Sequence, residues 1–226
     1  MFYWDSTFLL LIPALILTIY AQQKVKSTYA KYNKIRSRRG LTGSEVAQHI
    51  LQVNGLGNIP IEETQGRLSD HYDPIKKVLR LSSENYKGDS ISALGVSAHE
   101  VGHAIQHSTS YLPLNIRNSI LPVANFGSTL AWPLLLGGII FSIPYLLDIG
   151  IILFTGAVLF QIVTLPVEFN ASSRAIETLE SGSFLDADEV LKAKKVLNAA
   201  AFTYVAAAAV AVIQLIRLLL IRSSRD

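Results

Sequence analysis

The chain has 226 residues, 50% of them hydrophobic and only 16% charged, where soluble domains carry about 25% charged residues. That balance excludes a disordered chain, a coiled coil or a collagen, and a mean hydropathy of +0.35 argues against a wholly soluble globule. The absence of cysteine excludes disulfides, thiolate nucleophiles, iron–sulfur clusters and cysteine zinc sites, and the net charge of +3 is no nucleic-acid signal by itself.

The first apolar block is Phe8 to Ala21, preceded by Phe2, Tyr3 and Trp4. Together they approach the roughly 20 residues a span requires. A cleaved signal peptide is the weaker alternative, because no Lys or Arg precedes the block and no small-x-small site follows it. Lys24, Lys26, Lys31, Lys34, Arg36, Arg38 and Arg39 come next, whereas Asp5 is the only side-chain charge before. The positive-inside rule puts residue 24 onward in the cytoplasm. Beside a membrane helix, this basic run reads as topology and anionic-lipid contact rather than nucleic-acid binding.

Residues 24–120 form the long polar stretch. Ser44 reads as a helix N-cap followed by an apolar stripe of Val46, Ile50, Leu51 and Val53, with Gly55 and Gly57 as the stop. Ile59–Thr64 is a short strand, Gly66–Pro74 a polar loop with Asp70 and Asp73 as turn caps, and KVLRLS (77–82) an edge strand. Ser90–His107 reads as a helix.

Apolar blocks from about Asn125 to Leu147 and from about Ile149 to Val167 are interrupted only by Asp148 and Gly150, and read as a transmembrane hairpin. A soluble core of this size would struggle to cover them. The segment 168–198 is polar and helical at both ends, divided at Ser181-Gly182-Ser183. Lys192, Lys194 and Lys195 precede a last apolar block from about Ala199 to Leu220, which leaves Arg217, Arg222 and Arg225 toward the outer face.

The chemistry lies in His99-Glu100-Val101-Gly102-His103. On a helix, residues four apart are separated by about 40° and about 6 Å. Both imidazoles can therefore reach one ion at about 2.1 Å. Glu100 is turned about 100° from His99, free to take a proton from a metal-bound water. That is the metalloprotease use of H-E-x-x-H; the plain alternative is two surface histidines on an amphipathic helix. His107 lies about 12 Å from His99 along the axis, too far to share the ion. The longer HExxHxxGxxH pattern fails, with Gln106 in place of its glycine and Thr109 in place of its third histidine. The third ligand must come from elsewhere. Among Glu168, Glu177, Glu180 and the acids at 186–189, Glu168 is favoured. It ends the third apolar block on the same side of the membrane as His99, where a cation would offset its desolvation.

HEVGH, followed beyond a hairpin by Glu168-Phe169-Asn170-Ala171-Ser172, resembles the integral-membrane gluzincins of the HtpX type, with their E-F-x-A-D pattern. The resemblance is closer to the YugP-like bacterial membrane zinc metallopeptidases, and extends over LSDHYDP, KVLRLS, SAHEVGHAIQH and PVEFNASSRA. It implies one zinc ion held by His99, His103 and Glu168, with Glu100 as general base. Ser172 departs from the HtpX-type Asp, which would orient a ligand histidine. Donors to the tetrahedral oxyanion are expected from Arg174, His71 or Tyr72, in that order.

The expected fold is mainly α, with four transmembrane helices and a small α+β gluzincin-like cytoplasmic catalytic region. The first helix covers 1–23, the catalytic region with the HEVGH helix 24–124, and the hairpin 125–167. A cytoplasmic helical segment with the third ligand covers 168–198, and the last helix and tail 199–226. The expected function is zinc-dependent hydrolysis of peptide bonds in membrane or membrane-proximal proteins, by a multi-pass protein of the cell membrane. Its partners are peptide substrate and lipid, with no nucleic acid. The KVLRLS strand would bind extended peptide by edge addition. Cutting inside the bilayer is disfavoured, because Ser90–His107 is too short and polar to be a span. The alternative of another class is a non-catalytic membrane scaffold with a structural metal or none.

Overall fold

The computed structural model describes residues 6–66 and 68–224; Phe2, Tyr3, Trp4, Asp5 and Arg225 lie outside the described residues. After a 3-10 turn at Ser6–Leu10 come α1 (Leu11–Tyr32), α2 (Gly43–Val53), β1 (Ile61–Thr64), β2 (His71–Asp73), β3 (Val78–Ser82), α3 (Ser83–Tyr86), α4 (Ile91–Ser108), α5 (Leu112–Ile140), α6 (Pro144–Ser181) and α7 (Ala187–Ser223). The protein is mainly helical with a small sheet. Among the described residues four segments are long and apolar enough to cross a membrane: Thr7–Tyr32, Leu112–Ile140, Pro144–Ser181 and Ala187–Ser223.

These helices outrun the apolar blocks that announce them. Hydropathy stops at the first charges, but the backbone ladder does not, and stretches such as KVKSTYAKY contain few helix breakers. The turn between α5 and α6 falls at residues 141–143 rather than at Asp148 and Gly150. Ser142 takes a left-handed φ of 54° there, and Pro144 suits the first position of a helix. Asp148 lies inside α6 and accepts a hydrogen bond from Arg222 Nε at 2.6 Å. Gly150 marks close packing: a Cβ on it would lie 2.7 Å from the Leu135 side chain.

The chain divides into two compact units. One comprises residues 1–22, 115–165 and 203–226. Its core includes Ala131, Leu135, Leu147, Ile151, Phe154, Val158 and Leu218, while Leu15, Val123, Phe126 and Ile152 are exposed. The other comprises residues 23–114 and 166–202. Its core joins Val46, Ile50 and Leu51 of α2, Leu79 and Leu81 of β3, Leu94, Ala98 and Val101 of α4, Leu179 of α6 and Leu197 of α7.

In this second unit α2 starts two residues earlier than Ser44 suggests. Thr42 is the N-cap and forms a capping box with Glu45, since the Thr42 hydroxyl accepts from Glu45 N while the Glu45 carboxylate accepts from Thr42 N. Val53 is exposed, not part of the apolar stripe. The three strands are ordered β1-β3-β2, with β3 parallel to β1 and antiparallel to β2. KVLRLS is therefore the central strand, not an edge. Val78, Leu79, Leu81 and Ser82 are buried on both faces, and neighbours occupy both of its hydrogen-bonding edges. No extended peptide can add to it.

Candidate metal centre

Ser90 starts α4: its hydroxyl accepts the Ala93 N–H at 3.1 Å. Small residues at 93, 95, 98, 102 and 104 then let neighbouring backbones approach. At Gly102 this closeness is required. A Cβ there would sit 2.7 Å from the Ala171 carbonyl oxygen of α6. The contact brings the residue before His103 against the turn of α6 that carries Glu168. Pro166, two residues before Glu168, contributes no N–H to the helix ladder.

The result is a three-residue group. His99, His103 and Glu168 each offer one ligand atom, and these atoms lie within 4.8 Å of one another. Glu168 Oε2 is 3.4 Å from His99 Nε2 and 3.6 Å from His103 Nε2. Tetrahedral zinc with bonds of about 2.1 Å needs ligand atoms about 3.4 Å apart. Two imidazoles and a carboxylate are also the donor set of many hydrolytic zinc sites, so the residues fit the ion. Glu168 is only 2% exposed. Burial works against a proton on His103, but Glu168 and Glu100 outweigh it and raise its pKa above the usual imidazole value. The site therefore favours positive charge.

The other ring nitrogens are also engaged. His99 Nδ1 lies 3.2 Å from Ser172 Oγ, the position where HtpX-type chains carry Asp, and His103 Nδ1 lies 3.0 Å from Gln106 Oε1. In the sequence Gln106 stands out only as a departure from a longer motif. It carries no charge, and its partners on α6 are 61 and 64 positions away. No sequence spacing announces them.

Glu100 is half-buried on α4 next to His99. His107 stays outside the ligand group, its Nδ1 2.9 Å from the Tyr72 hydroxyl. His71 is exposed on β2, with Nδ1 2.8 Å from the Ser69 carbonyl and Nε2 3.5 Å from an Arg80 terminal nitrogen. Successive strand residues face opposite ways, so Tyr72 rather than His71 reaches α4. Arg174 Nε donates to Asn170 Oδ1 at 2.8 Å. Asp73 caps its turn by accepting from Ile75 N and Lys76 N at 3.0 Å. Asp70 does more than cap: it accepts from Ser82 N at 2.7 Å and Asn85 Nδ2 at 2.9 Å, pinning the LSDHYDP loop to β3 and α3.

Comparison with known proteins extends the sequence resemblance. The sequence profile of a family described as "Putative neutral zinc metallopeptidase" matches residues 7–223. A protein of Bacillus subtilis (strain 168), "Putative membrane protease YugP", is 51% identical over 212 residues, covering 94% of this chain and 94% of that protein. No solved structure matches. A match over nearly the whole length, together with a relative of this identity, means that the chain belongs to the neutral zinc metallopeptidase family.

Proposed function

We propose that the protein is a membrane zinc endopeptidase that cleaves membrane or membrane-proximal proteins from the cytoplasmic side. The observation that carries this reading is the convergence of His99, His103 and the buried Glu168 on one point, with Glu100 beside His99. His99, His103 and Glu168 would hold a single zinc ion, which when bound would polarise the scissile carbonyl and make a water more acidic. Glu100 takes a proton from the attacking water and returns it to the amine nitrogen as the C–N bond breaks. The oxyanion needs a donor from the protein as well. Arg174 is the first candidate, since a guanidinium keeps further N–H groups beyond the Nε bound to Asn170; Tyr72, on the face of β2 that reaches α4, comes before His71, which faces the other way.

The orientation rests on charge. Lys24, Lys26, Lys31 and Lys34 follow the first candidate span, and Lys192, Lys194 and Lys195 precede the apolar part of the last. Residues 24–124 and 168–198 are accordingly assigned to the cytoplasm, and 1–23, 125–167 and 199–226 to a multi-pass anchor in the cell membrane. Exposed Leu15, Phe126 and Ile152 suit contact with lipid.

The test uses the full chain in detergent, with zinc content and hydrolysis of an unfolded protein substrate as readouts. Glu100→Gln is expected to keep zinc and lose activity by at least about a hundredfold. Glu168→Ala is expected to lose both. Zinc retained in Glu168→Ala would overturn the ligand assignment. Function surviving Glu100→Gln would favour a scaffold with a structural metal.

A further inference from the structure

The hydrogen bonds behind His103 run in one direction, and their polarity is set at the far end. Arg174 Nε donates to Asn170 Oδ1 at 2.8 Å. A guanidinium has no acceptor, so the Asn170 atom facing it must be the carbonyl oxygen. The same oxygen receives Gln106 Nε2 at 3.0 Å, and Gln106 Nε2 also donates to the Val167 carbonyl at 2.8 Å. Both hydrogens of the Gln106 amide are thus committed to acceptors. Flipping the amide would turn its oxygen onto two other oxygens. Gln106 Oε1 must therefore face His103 Nδ1, 3.0 Å away. An acceptor at that position requires a proton on Nδ1, so that in the neutral ring, the form that can ligate a metal, the Nε2 lone pair is directed to the side of Glu168. Gln106 is fully buried, so water does not compete for these bonds.

We propose that Gln106, oriented by Asn170 and Arg174, is the positioning residue for His103. It fixes the ring tautomer that presents Nε2 to zinc and, through Val167, ties the HEVGH helix to the turn of α6 bearing Glu168. This rests on the reading of His99, His103 and Glu168 as zinc ligands. His99 has no equivalent device. Its partner is the Ser172 hydroxyl at 3.2 Å, and a hydroxyl donates or accepts as required. The two ligand histidines are therefore held unequally.

The test measures zinc affinity by chelator competition, and the visible spectrum of the cobalt-loaded protein, on the full chain in detergent. Gln106→Leu keeps most of the volume and removes every hydrogen bond. It is expected to weaken zinc by about 10–100-fold and to alter the cobalt bands. Asn170→Asp keeps an acceptor for both Gln106 and Arg174 and is expected to stay within about threefold of the parent, whereas Asn170→Leu is expected to lose about tenfold. Ser172→Ala is expected to cost less than Gln106→Leu. Parent-like affinity and spectrum in Gln106→Leu, while Glu168→Ala has lost its zinc, would overturn the positioning role and leave the ligand assignment standing. Should Gln106→Leu fail to fold, the Asn170 pair decides: equal behaviour of Asp and Leu overturns the proposal. A parent protein that binds no zinc removes the ligand assignment and the positioning role together.

Discussion

In the unit formed by residues 23–114 and 166–202, polar side chains lie inside: Glu168, Gln106, Asn85 and Ser82 are all buried. Asp70 bonds to Ser82 and Asn85, and the Tyr29 hydroxyl donates to Asn85 Oδ1 at 2.7 Å. In the unit formed by residues 1–22, 115–165 and 203–226, Leu15, Val123, Phe126 and Ile152 lie outside, and its core is packed through apolar contacts such as Leu135 against Gly150. Directional bonds in a low-dielectric interior hold atoms in place and are costly to leave half-made. Apolar packing tolerates substitution by groups of similar volume. The first unit thus holds polar atoms in fixed positions, and the second carries exposed apolar side chains on helices long and apolar enough to cross a membrane.

The sharpest way to break this contrast is to remove zinc. An ion bound only by the folded state stabilises it by about 4 kcal/mol when free metal exceeds Kd a thousandfold. Chelation is expected to lower the thermal midpoint of the parent protein and leave that of Glu168→Ala unchanged. In hydrogen exchange, the loss of protection should concentrate in α4 and residues 166–181. Uniform loss across both units would remove the distinction between them.

Next comes the helix contact behind the ligands. In Gly102→Ala the new Cβ would meet the Ala171 carbonyl oxygen at 2.7 Å, and backbone cannot swing aside as a side chain can. Overpacking of this kind costs about 1–3 kcal/mol. Because Ala171 follows Glu168 by three residues, zinc affinity should fall with stability. Val123→Ala, at an exposed position of α5, should change neither in detergent.

Much of this was legible in advance, for reasons that differ by residue. HEVGH on a helix and Glu168 after the hairpin carry local signals: period, and a carboxylate against an apolar run. The true N-cap Thr42 was hidden by Ser44, an equally good capping residue two positions on. Helix ends are not legible in the apolar blocks because hydropathy reports solvent preference, not hydrogen bonding. The central position of β3 was missed because a five-residue strand says nothing of which partners flank it. Gln106 and Ser172 act through contacts across 61 to 73 positions, and only the folded chain brings those together.

A smaller effect is expected at the start of α2. Thr42→Ala removes one half of the capping box and should cost about 1 kcal/mol, read from chemical unfolding. The bond from Thr42 N, then that from the Thr42 hydroxyl, lowers the Glu45 pKa below its usual value. A depressed carboxylate stabilises the fold above its unfolded pKa and loses that contribution as pH falls through the folded one. Stability should therefore drop more steeply between about pH 6 and about pH 3 in the parent than in Glu45→Gln. An identical slope would mean that the carboxylate is not bonded in solution.

The smallest change belongs to the unit formed by residues 1–22, 115–165 and 203–226. Arg222 bonds Asp148 through Nε at 2.6 Å and a terminal nitrogen at 3.3 Å. Arg222 lies in the last turn of α7, the helix end whose dipole favours a cation, whereas Asp148 lies beyond the first turn of α6. The pair is partly exposed, 23% for the arginine side chain and 44% for the aspartate. An accessible pair of this kind is worth about 0.2–1 kcal/mol. A double-mutant cycle of Asp148→Asn and Arg222→Gln, read by thermal midpoint in detergent, should return a coupling in that range, with zinc affinity and peptidase activity at parent levels. A loss of zinc in either variant would mean that this ion pair reaches the metal centre, and the separation of anchoring from chemistry would fail.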